Sequence, residues 1–131
     1  MGFVSLGLFG GLAKPSAGDW VRWRGPNLNG ISSETGWLTK WPDDGPKRLW
    51  KAKVGTGFSS LAVANGNVYT LGNSGRGRGE EKDTVFCFDA VTGKGIWSHA
   101  YEAKLDPKYY DGGPSGTPTV DGDRVYTLSK H

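Results

Sequence analysis

The sequence is nearly without sulfur: one cysteine and one methionine in 131 residues. A lone Cys87 excludes an internal disulfide. It also excludes a cysteine-based zinc site, which needs several cysteines or cysteines paired with histidines at ligand spacing; His99 and His131 lie too far apart to help. The neighbours Val85, Phe86 and Phe88 mark Cys87 as a buried structural thiol. No long hydrophobic run exists. The apolar stretch from Phe3 to Ala13 has the length of a signal-peptide core and is too short to cross a bilayer, so no transmembrane span is expected. No stretch is long enough without Gly or Pro to sustain heptads: 22 glycines and 7 prolines exclude helix bundles and coiled coils. Charge of one sign is also missing. Residues 1–58 carry eight bases against four acids and residues 59–131 eight against nine. The net +3 is scattered rather than gathered into the stripe that a nucleic-acid surface needs.

Aromatics, by contrast, are plentiful, at 12% with six tryptophans. With a mean hydropathy of -0.49 this is the composition of a folded chain rather than a disordered one. The length suffices for one ordinary domain and not for two. The fold class expected is all-β, with short strands joined by tight turns.

Three regions differ in texture. Residues 1–17 read as a signal peptide, with Gly11 and Ala13 at the small-residue positions before a cleavage point, although no base precedes Lys14. This places the protein in the periplasm or outside the cell. No cysteine follows directly on the run, so no lipoprotein anchor is expected. Residues 18–46 form an irregular arm rich in Trp, Pro and Gly, whose tryptophans are expected on a neighbouring surface. From Lys47 to His131 alternation and turn chemistry predict strands near 47–54, 59–64, 67–71, 84–88, 95–101, 117–120 and 124–128. Asn65-Gly66 is a hairpin signal of the type I′ class, in which both loop residues need positive φ.

The last hairpin repeats an earlier one. Ala62-Val63-Ala64-Asn65-Gly66-Asn67-Val68-Tyr69-Thr70-Leu71 matches Pro118 to Leu128 with one extra residue, through Asp121-Gly122. Leu49-Trp50 and Ile96-Trp97 repeat as well. A unit of about 40–50 residues with four short strands is the signature of a propeller blade, with loops at 72–82 and 102–114 as insertions.

Phe88-Asp89-Ala90-Val91-Thr92-Gly93-Lys94-Gly95-Ile96-Trp97 resembles the repeat of quinoprotein-like β-propellers, in which an Asp, a Thr-Gly turn and a Trp recur at this spacing. Asp89, Thr92, Gly93 and Trp97 are the repeat motif. Ser60 to Val63 and Gly116 to Val120 look like the family's inner strand, with Leu61 departing from the proline that Pro118 supplies. The arm from Asp19 to Gly30 looks like the leader of exported members. The resemblance implies four-stranded antiparallel blades, eight when the ring is complete. Residues 47–131 would then be the start of the propeller, about one and a half blades, and the isolated chain is expected to be poorly soluble or loosely folded. In the repeat, Trp97 is expected to wedge against the next blade near Pro118 to Val120.

A true quinoprotein dehydrogenase would hold pyrroloquinoline quinone and calcium over the propeller axis, with a catalytic Asp and often a vicinal disulfide. None of these can be assigned here, and one cysteine excludes the disulfide. The first reading is therefore an exported, non-catalytic binding or scaffold propeller with a protein partner or an exported small ligand. The alternatives are the N-terminal part of a quinone-dependent alcohol dehydrogenase, in which quinone and calcium would be cofactors, and an intracellular propeller partner.

Other constellations lack a required member. Gly75 to Gly79 lacks the helix and the Lys-Ser/Thr of a phosphate loop. Gly113-Pro114-Ser115-Gly116-Thr117 has Thr117 where a nucleophile elbow needs Gly. Asp121-Gly122-Asp123 lacks the later acid of a calcium loop. Glu102, Asp106 and Asp111 read as solvated loop carboxylates.

Overall fold

The computed structural model describes residues 18–36, 38–75 and 80–129. The signal-peptide reading of residues 1–17, Trp37, the Arg-Gly tract at 76–79 and His131 lie outside the described residues. Six strands and no helices make up the described fold: β1 (Ala62–Ala64), β2 (Asn67–Asn73), β3 (Lys82–Asp89), β4 (Gly95–Glu102), β5 (Thr119–Asp121) and β6 (Arg124–Tyr126). The first four form an antiparallel sheet in chain order, and the last two form a separate hairpin.

Turn chemistry sets this meander. Asn65 and Gly66 both have positive φ, 52° and 74°, and Ala64 pairs with Asn67, as a two-residue type I′ loop requires. The second hairpin is built differently. Asp121 pairs with Arg124, so its loop is Gly122-Asp123, and of these two only Gly122 has positive φ. That is the pattern of type II′, with Gly first. The extra residue of the second repeat is absorbed by this one-position shift of the turn, which leaves Asp121 in the strand.

Registers place Ala62, Tyr69, Cys87 and Trp97 in one row across the sheet, Leu71, Val85 and His99 in a second, and Asn73, Asp83 and Tyr101 in a third. Alternation puts these rows on one face. The second hairpin packs on that face: Val120 and Val125 join Val21, Ala62, Ala64, Tyr69 and Cys87 in the apolar core. The buried thiol of Cys87 is thus as expected.

The arm is the seam between the two sheets. Trp20 exchanges both backbone hydrogen bonds with Val63, and the Val120 N–H donates to Val21 O at 2.8 Å. The rest of the arm departs from expectation. Trp20 is half-buried, whereas Trp23 and Trp41 are 62% and 60% exposed. Turns at Arg24 to Gly30 and at Pro42 to Gly45 bend this segment on itself, through Gly30 N–H to Arg24 O and Gly45 N–H to Pro42 O.

The strand expected at 47–54 is not formed. Along β2, β1 already occupies the edge opposite Asn67 to Tyr69 and β3 occupies the other edge. Only the far end is open, and there Thr56 makes a single antiparallel bridge to Asn73. The approach is close: a Cβ on Gly72 would stand 1.7 Å from Val54 O, so only glycine lets this crossing occur.

Trp97 also differs from expectation. It is 41% exposed rather than wedged against Pro118 to Val120. It belongs to an edge strand whose residues are exposed apart from Tyr101, and the core under the second hairpin extends along its row only as far as Cys87. Its ring leans on Tyr69, centroid to centroid 6.0 Å.

Candidate interaction surface

The two ends of the four-stranded sheet are chemically different. At one end lies the repeat motif. The Asp89 Oδ1 accepts hydrogen bonds from the N–H of Val91 at 3.1 Å and of Thr92 at 2.7 Å, and from the Thr92 hydroxyl at 2.7 Å. The Gly93 N–H returns to Asp89 O at 2.9 Å, with Gly93 at φ 71°. These bonds to the ionised form, led by the Thr92 N–H and hydroxyl, hold the Asp89 carboxyl below its ordinary range. Three of the four motif residues therefore build one turn, and Trp97 stands on the strand that follows it.

One residue here is not marked as a turn partner by local spacing. Trp50 lies over the turn: its indole N–H donates to Ala90 O at 2.9 Å, and its ring tilts against Phe88 at 6.0 Å. A Cβ on Gly93 would come within 2.5 Å of the indole. Trp50 recurs as Trp97 in the repeat, and that was the only signal available.

The opposite end gathers the long loops. Asn73 and Asp83 are buried there, Asn73 with no exposed surface. The Asn73 side-chain amide donates to Asp83 Oδ1 at 2.8 Å and to Ala103 O at 3.1 Å, while its Oδ1 accepts from the Gly75 N–H at 2.9 Å. Glu81 fixes the chain leaving β4: its Oε2 accepts from the Leu105 N–H at 2.7 Å and its carbonyl from the Ala103 N–H at 3.1 Å. The loop then returns to the sheet. Gly113 N–H donates to Leu105 O at 2.8 Å, and Pro114 O accepts from the Phe58 N–H at 2.8 Å. Asp83 falls in phase with Val85 and Cys87 along β3, so its burial was readable from alternation; its partners were not.

This framework presents an exposed aromatic group. Phe58 meets Tyr110 edge to face with centroids 5.1 Å apart, and Tyr109 beside it is 87% exposed with the Lys108 ammonium 5.2 Å from its ring. Rigid aromatic rings with a polar surround give contact area at low entropic cost, the composition of a binding surface. Asp106 and Asp111 lie exposed on the same loop, and Glu102 at the end of β4, as solvated carboxylates. Among the described residues no three His, Cys, Asp or Glu side chains come together to hold a metal ion.

A cleft of about 380 Å³ opens beside the arm, lined by Asp19, Trp20, Asn27, Ser32 and Glu34 among others. In the interior, burial pushes up the Tyr69 phenol and the Cys87 thiol, and the contact between them pulls the thiol partly back. Burial and then the Asp83 carboxylate push up the Tyr101 phenol, against the Ser129 and Thr127 hydroxyls. All three groups therefore stay protonated at neutral pH, so none stands as a ready nucleophile.

No helix among the described residues is long and apolar enough to cross a membrane. The chain matches no family model, no curated protein and no solved structure.

Proposed function

We propose that this chain is the blade-bearing part of an exported β-propeller that works as a non-catalytic binding or scaffold module. The observation that carries the reading is the packing of a repeated hairpin on the preceding sheet. β5–β6 repeats the sequence of β1–β2 and seats Val120 and Val125 on the face formed by Ala62, Ala64, Tyr69 and Cys87. A four-stranded meander followed by a second copy of its inner hairpin, packed against it through a shared apolar cluster beside the inner strands, is how blades succeed one another around an axis. In such a stack the connections of each blade divide between its two ends, and here the long loops share the end opposite the Asp89 turn. The Phe58, Tyr109 and Tyr110 surface is the contact for a protein partner or an exported small ligand.

A crystal structure of the intact protein tests the architecture: successive four-stranded sheets around an axis are expected, and a closed two-sheet sandwich would overturn it. The binding role is tested by dye reduction in the presence of pyrroloquinoline quinone and calcium, where no turnover is expected. Quinone-dependent turnover would replace this reading with the dehydrogenase one. Export is tested by terminal sequencing of the secreted form, which should begin within residues 12–18 of this sequence.

A further inference from the structure

The tips of the two hairpins differ in chemistry as well as in turn type, and one of them is reactive. The chain has five asparagines, and two precede glycine: Asn29-Gly30 and Asn65-Gly66. A backbone N–H following asparagine can attack the side-chain amide carbon when the next residue has no Cβ to obstruct ring closure. We propose that Asn65 is a site of spontaneous deamidation in the folded protein and that Asn29 is protected.

The two sites present the attacking and attacked groups differently. At Asn29 both are engaged: the Gly30 N–H donates to Arg24 O at 2.9 Å, and the Asn29 Oδ1 accepts from the Ile31 N–H at 2.9 Å. Closing the ring there requires freeing the Gly30 N–H from Arg24 O and turning the side chain away from the position that its bond to Ile31 holds. At Asn65 neither is held. The residue is exposed, its side-chain amide bonds to no described residue, and the Gly66 N–H donates to no described carbonyl. The space around Gly66 is open, with nothing within 4 Å of the position a Cβ would take. The remaining asparagines are poorer sites. Asn73 is buried and triply bonded, Asn67 is followed by β-branched Val68 within a strand, and Asn27 is followed by Leu28.

In the step, the Gly66 nitrogen forms a bond to the Asn65 Cγ and loses its proton. The Cγ–Nδ2 bond breaks and ammonia leaves, giving a succinimide. Water then opens either carbonyl, yielding aspartate or isoaspartate. Aspartate leaves an Asp-Gly pair as the two loop residues of the first hairpin, whereas in the second hairpin Asp121 is the last strand residue and the loop is Gly122-Asp123. Isoaspartate inserts a methylene into the backbone of the type I′ loop and displaces Gly66 O, which accepts from the Ala90 N–H at 2.9 Å beside the Asp89 turn.

The experiment incubates the full chain in mildly alkaline buffer and follows each asparagine by peptide mass spectrometry, with fragmentation that separates aspartate from isoaspartate. A gain of one mass unit should accumulate at Asn65 several-fold faster than at Asn29. In concentrated urea the two rates should converge, because the hydrogen bonds protecting Asn29 are gone. Equal rates in the native protein, or faster reaction at Asn29, would overturn the proposal. An Asn65→Gln variant, with a side chain too long for the five-membered ring, should lose the fast modification and keep the slow one.

Discussion

Replacing Gly93 by alanine isolates the contact between the repeat turn and Trp50. Gly93 has φ 71°, and its missing Cβ would lie 2.5, 2.6 and 2.8 Å from three atoms of the Trp50 indole. An L-residue in the left-handed region costs roughly 1–2 kcal/mol. Displacing Trp50 adds the loss of its hydrogen bond to Ala90 O, about 1 kcal/mol, and of its contact with Phe88, about 0.5–1 kcal/mol. The Gly93→Ala variant should therefore lose about 2.5–4 kcal/mol. Gly66→Ala is the reference, because Gly66 has φ 74° with nothing near its Cβ position and so bears the conformational cost alone. The gain from a stiffer unfolded chain is common to both and cancels. Urea melts read by near-ultraviolet circular dichroism supply both values. The decisive comparison is a double-mutant cycle: with Trp50→Ala in place, the cost of Gly93→Ala should fall to that of Gly66→Ala. If Gly93→Ala and Gly66→Ala cost the same in the native background, Trp50 does not cover the turn and the packing described here is wrong.

Three further outcomes follow. Asn73→Ala removes three hydrogen bonds, two of them buried, and strands Asp83, and should cost about 2–4 kcal/mol in a urea melt while opening the loop at 103–116 to limited proteolysis; a loss below about 1 kcal/mol would refute the network. The Asp89 carboxyl is depressed in the folded state, so its stabilisation is present above the ordinary aspartate pKa near 3.9 and is lost as pH falls through the lower folded value. An Asp89→Asn variant should lack that acid-side slope, and parallel acid melts of the two proteins would contradict the assignment. Cys87 should resist a thiol reagent in the native protein and react fully in denaturant, whereas prompt native labelling would show that β3 is not covered.

Local chemistry alone determined a good deal. Glycine and proline frequency with period-2 alternation specified an all-β chain, and six of the seven expected strands form within a few residues of their expected places. Asn65-Gly66 specified its turn because positive φ at both positions is a property of those two residues. Asp89, Thr92 and Gly93 specified theirs because an Asx acceptor and a left-handed terminus act within five residues. What local chemistry did not determine is competition for partners. The segment at 47–54 has the alternation of a strand, but whether it pairs depends on which edges of β2 remain open, and β1 and β3 had taken them. The same holds for Trp97, whose burial depends on how far the second hairpin reaches across the sheet. It holds too for Asp89's cover, since Trp50 is 39 residues away in sequence. Tertiary structure alone assembled the Phe58 and Tyr110 pair, because it rests on Asn73, Asp83 and Glu81 drawing distant loops to one end of the sheet. Backbone preference is settled within a turn of chain, whereas edge occupancy and the meeting of loops are settled only once the strands have found one another.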